Sequence, residues 1–142
     1  MKSIYLFLIM VFVFCFCSCE TVHHDCMITF NVQGVVFNKD NKTPIESAKV
    51  LFVDTGYDSL ASQGGIQEEI GTTDLQGRID IKFDYGYSYE EGWGYEKPKD
   101  TFEIHIYKES YKKKVLLFKE SDFKKEEHIL YVDLSEIYLE EE

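Results

Sequence analysis

The side chains able to do chemistry fall in a few stretches of this 142-residue sequence. His23-His24-Asp25-Cys26 offers imidazole, carboxylate and thiolate, a set that suits zinc or copper. Four consecutive residues cannot all reach one ion without strain, and no second ligand pair stands nearby. The expectation is therefore a polar tether with no metal and no cofactor. His105 and His128 could serve as acid or base, but hydrolysis also needs a nucleophile and an orienting group within hydrogen-bond reach. No nucleophile motif accompanies either, so no enzyme is expected; the alternative is a metal-binding or hydrolytic protein using His23, His24 or His105. The most suggestive stretch is 84–97, which holds Tyr85, Tyr87, Tyr89, Tyr95 and the chain's only tryptophan, Trp93, among glycines and carboxylates. Rigid aromatic faces beside carboxylates can stack on sugar rings, and Tyr and Trp are enriched at protein interfaces. These five aromatics are the expected contact residues for a glycan or a protein. The competing reading is a hairpin loop folded back to shield the edge of the domain. Asp84, Glu90 and Glu91 match no calcium-loop spacing.

Composition narrows the classes. The net charge of -11 excludes a phosphate-binding surface built on clustered Lys and Arg, so no nucleic-acid partner is expected. It argues equally against electrostatic adhesion to an anionic membrane. An apolar fraction of 44% excludes wholesale disorder, and the length fits one domain. The N-terminus carries Lys2 and then an uncharged apolar run over 4–16, short against the ~20 residues of a spanning helix. The Ser18-Cys19 junction after that run resembles the lipobox of bacterial lipoprotein signal peptides. The resemblance implies a signal peptide over 1–18 and acyl chains, palmitate among them, on Cys19. It also implies a lipidated tether over 19–27 and an address in the bacterial cell envelope, at the outer membrane. Cys15 and Cys17 leave with the leader and Cys19 is acylated, so Cys26 has no intramolecular disulfide partner and the core must hold the fold; without acylation a Cys19–Cys26 bridge becomes open.

The elements that must position these residues follow from side-chain alternation, the mark of half-buried strands. Ile28, Phe30, Val32 and Val36 open the first strand, and 48–53 forms a second, apolar on both faces. Glu68–Thr73 is a weak third. Asp74-Leu75-Gln76-Gly77 is a turn, and Ile79, Ile81 and Phe83 alternate in a fourth strand. A loop is expected over 54–66 and another over 84–100. Phe102, Ile104 and Ile106 mark a fifth strand, 112–118 a sixth and 129–134 a seventh with an extension over 137–139. Residues 119–127 could make one helical turn and no more. Lys112-Lys113-Lys114 reads as a solvated strand edge that discourages aggregation. The fold class is all-β: a single seven-stranded antiparallel β-sandwich over 28–139, with an acidic tail at 140–142.

Three sequence words in order carry a resemblance. Val32-Gln33-Gly34-Val35-Val36 with Pro44-Ile45-Glu46-Ser47-Ala48-Lys49-Val50, then Thr73-Asp74-Leu75-Gln76-Gly77, then Ile104 through Tyr111, resemble the carboxypeptidase regulatory-like domains. Ser47 stands where that family usually has Gly before Ala, and Ser110 where Gly often precedes the Tyr. The resemblance covers roughly 28–135 and implies a transthyretin-like sandwich. It also implies a non-catalytic role as spacer, chaperone-like appendage or binding surface.

Overall fold

The computed structural model describes residues 22–55, 67–91 and 101–142. Eight strands form in chain order: β1 (Val22–Asn38), β2 (Lys49–Asp54), β3 (Gln67–Thr72), β4 (Arg78–Glu91), β5 (Thr101–Tyr107), β6 (Lys114–Lys119), β7 (Lys124–Glu126) and β8 (Ile129–Leu139). No α-helix occurs among the described residues; a 3-10 turn at Glu120–Asp122 precedes β7. The strands form two four-stranded sheets, ordered β4-β1-β8-β7 and β3-β2-β5-β6.

Alternation explains why the two sheets share one core. Ile28, Phe30 and Val32 of β1, Val50 and Phe52 of β2, and Phe102, Ile104 and Ile106 of β5 are all buried, as are Leu130 and Val132 of β8. Phe30 from the first sheet meets Phe52 and Phe102 of the second at centroid distances of 5.0 and 5.1 Å. Burying an aromatic side chain of this size is worth roughly 2–3 kcal/mol, so this cluster is a main source of cohesion in a fold that shows no disulfide among the described residues.

Four expectations are corrected. The first sheet is not purely antiparallel: β1 and β8 run parallel, Thr29 opposite Ile129 through Asn38 opposite Leu139. Parallel neighbours need a long crossover, and here the whole intervening chain supplies it. The described residues hold eight strands rather than seven. The addition is β7, three exposed residues with no apolar periodicity, formed because Lys124–Glu126 can ladder onto β8. Residues 22–27 are not an unstructured tether but the start of β1, and 84–91 are not loop but the end of β4. These two misreadings are one event, since Val22 through Ile28 pair with Glu91 through Tyr85 and each segment supplies the other's hydrogen bonds. The expected loop over 54–66 lies largely outside the described residues.

Turns join the layers. Asp74 Oδ1 accepts from the N–H groups of Gln76 and Arg78, both at 2.8 Å, and Gly77 takes φ +71°. The buried Thr73 hydroxyl accepts from Ala48 N–H (2.9 Å) and donates to the Ile45 carbonyl (2.6 Å), so it fixes the chain entering β2. The register of β1 and β8 shifts between Gln33 and Val35. Ser135 there adopts φ +54°, and an added Cβ on Gly34 would stand 3.0 Å from Leu134 Cβ. The bulge belongs to β8, and Gly34 gives it room.

Candidate functional site

The expected contact segment divides along β4. Tyr85 faces inward and is a core residue, 6% exposed, with its ring 4.9 Å from Phe52. Its hydroxyl donates to Asp54 Oδ2 at 2.6 Å, and Asp54 is itself buried. A buried carboxylate is costly without hydrogen-bond donors, so this bond ties β4 of one sheet to β2 of the other. Tyr85 therefore drops out of the expected contact surface: its register partner Ile28 and the Phe52 ring claim it for the core. Tyr87, two residues on, is half-buried and stacks on Tyr85 at 6.2 Å. The Tyr89 side chain, Trp93 and Tyr95 lie outside the described residues, as does Cys19.

β8 begins opposite Thr29, so residues 22–28 of β1 carry a ribbon with β4 that runs past the rest of the first sheet. Strand alternation splits the histidine cluster between the two ribbon faces. His23 and Asp25 share one face, with Nε2 and Oδ1 3.2 Å apart. His24 and Cys26 share the other, in line with buried Ile28. Met27 is 64% exposed and lines a shallow cleft with Asp25, Cys26, Gly86, Tyr87 and Ser88. Among the described residues no three His, Cys, Asp or Glu side chains converge on one point. Cys26 holds a free thiol.

His105 occupies the outer face of the second sheet yet is buried. Its Nε2 lies 2.6 Å from Glu103 Oε2, a same-face neighbour two residues back, while its buried Nδ1 has no partner among the described residues. Such a carboxylate–imidazole pair fixes the ring's orientation, but its register neighbours are Leu51 and Val115, which offer neither a nucleophile nor a further ligand. His128 is exposed at the β7–β8 turn, where its carbonyl accepts from Thr29 N–H at 2.8 Å. The four histidines thus stand at three separate places.

The acidic tail has a structural part. Glu141 bridges to Tyr111, the Lys112 N–H donates to the Glu140 carbonyl at 2.8 Å, and the Glu142 N–H donates to the Ser110 carbonyl at 3.1 Å. Glu140 accepts from Lys112 Nζ at 2.6 Å and from Lys39 Nζ at 3.1 Å, and these two ammonium groups hold its carboxyl below the usual carboxylate range. Sequence reading missed this pairing because neither the lysine run nor the glutamate run names its partner. Opposite charge in two separated runs was the only signal.

No protein-family model matches the chain, and no curated protein matches it.

Proposed function

We propose that this chain is a non-enzymatic lipoprotein of the bacterial cell envelope, anchored through acyl chains on Cys19. Its sandwich is of the transthyretin-like, carboxypeptidase regulatory-like kind, with β7 a short addition to seven principal strands. It serves structural or binding roles, with glycan or envelope-protein contact through the aromatic stretch beyond Tyr85: Tyr87, Tyr89, Trp93 and Tyr95.

The observation that carries this reading is the backbone at Ser47 and Ser110, with φ of +56° and +69°. These are the two places where the resembled family usually has Gly. Glycine is favoured in that region because an L side chain is strained there, so the same backbone carrying Ser fits a diverged member of the family. The remaining words of the resemblance are taken up by the fold: Gly34 beside the bulge, Thr73 closing onto Ile45 and Ala48, Gly77 in the turn. They carry architecture and no chemistry, and a fold by itself does not specify an activity. The rival hydrolytic or metal-binding reading has two favouring contacts among the described residues, His105 with Glu103 and His23 with Asp25.

Two experiments test the proposal. Palmitate labelling should be lost in Cys19→Ala, and labelling that persists refutes the anchor. Trp93 fluorescence should shift on one member of a panel of glycans and envelope proteins. Silence across the panel, or hydrolytic turnover lost in His105→Ala, refutes the binding reading.

A further inference from the structure

β6 is an edge strand with an unusual combination of features. Its sequence is Lys-Val-Leu-Leu-Phe-Lys, and among the described residues it pairs only with β5. Val115 and Leu117 are 45% and 66% exposed. At its end the Lys119 N–H turns away from β5 and donates to Asp122 Oδ2 at 3.0 Å. The register with β5 is unbroken, so the two-residue alternation of an antiparallel ladder also turns the N–H and C=O groups of Val115 and Leu117 to the open side. An apolar strand with free outward backbone groups is a template for another strand.

The charges specify the partner. Acidic residues exceed basic ones by eleven in this chain, and Lys39, Lys49, Lys112, Lys124 and Lys125 each hold a carboxylate. Lys113, Lys114 and Lys119 hold none among the described residues, and they bracket the open edge. A second copy of β6 is a poor occupant, because antiparallel self-pairing about Leu116, which sets the outward-facing Val115 against Leu117, also sets Lys113 against Lys119 at both ends. The chain itself supplies the model for a good one. Just before β6, residues 110–112 already hold an extended acidic segment, Glu140–Glu142, by two main-chain hydrogen bonds and the Lys112–Glu140 ion pair. We infer that β6 binds, by strand addition, an extended partner peptide with apolar residues at alternate positions and carboxylates at its ends. This surface lies on the second sheet and is independent of the 84–97 contact.

The test titrates the full chain, in neutral detergent, against a fluorescein-labelled hexapeptide of alternating Val and Thr with Glu at each end, read by anisotropy. Saturable binding is expected, weakened about tenfold or more when the terminal Glu residues become Lys or when the peptide's pairing amides are N-methylated. Leu117→Pro should weaken it equally while keeping the parent's thermal transition, because the N–H it removes faces the open side. The N-methylated peptide gives the same information should that variant not fold. Lys114→Glu/Lys119→Glu should reverse the preference in favour of the Lys-ended peptide. Binding should persist in Trp93→Ala, which separates this edge from the aromatic segment. No saturation by about 1 mM, equal binding of acidic and basic peptides, or loss in Trp93→Ala would each overturn the inference.

Discussion

Replacing Ser47 and Ser110 by glycine should make this protein more stable, against the usual direction for glycine. Both residues sit at positive φ, +56° and +69°. Holding an L residue there costs roughly 1–2 kcal/mol, and glycine removes that cost. Against this, glycine's extra freedom in the unfolded chain returns roughly 0.4–1 kcal/mol. The hydrogen bonds are main-chain and survive: Ser47 N–H to the Thr73 carbonyl at 3.0 Å, and Glu142 N–H to the Ser110 carbonyl at 3.1 Å. Both side chains are exposed, so little packing is lost. The net expectation is a gain of about 0.5–1 kcal/mol per site, or about 4 °C in midpoint for each kcal/mol. Urea and thermal unfolding of Ser47→Gly, Ser110→Gly and the double variant measure it, with Ser121→Gly as the control at ordinary φ. The control should lose about 0.5–1 kcal/mol. If Ser47→Gly and Ser110→Gly fall with the control, left-handed strain at these two sites is not what the sequence tolerates, and the tie to the glycine-bearing family goes with it.

Gly77→Ala should be among the most damaging single changes. The added Cβ would stand 2.5 Å from the Val36 carbonyl oxygen at φ +71°, so a loss of about 3 kcal/mol or more is expected in urea unfolding; a loss under about 1 kcal/mol would mean the turn relaxes freely. Tyr85→Phe takes a donor from buried Asp54 with little change of shape, and should cost about 1–3 kcal/mol; an unchanged denaturation midpoint would rule out the inter-sheet bond as a stabiliser. Glu140 should titrate by NMR below the usual carboxylate range because Lys112 and Lys39 favour its ionised form. Its folded value is depressed, so whatever the contact contributes is present at neutral pH and lost as the pH falls through that value. Lys112→Met should move the midpoint upward, and an unmoved midpoint would assign the effect elsewhere.

The core-facing residues were legible in the sequence because period-two alternation is a property of one strand alone. Ile28, Phe30, Val32, Phe102, Ile104 and Ile106 could be placed without knowing any neighbour, and all are buried. The turn at 74–77 was legible for the same reason: Asp74 satisfies backbone groups within four residues of itself. Whatever depends on a partner was not legible. Residues 22–27 and 84–91 have weak patterns of their own, and each becomes strand only because the other is beside it. The parallel β1–β8 pair, the lysine run meeting the glutamate tail, and the edge position of β6 among the described strands are likewise facts about neighbours distant in the chain. Tyr85 makes the point within a single residue. Composition marked it as an aromatic fit for contact, but Asp54, thirty-one residues away, receives its hydroxyl in the interior. Hydrophobic periodicity chooses which way a side chain faces, whereas only tertiary packing decides what it faces.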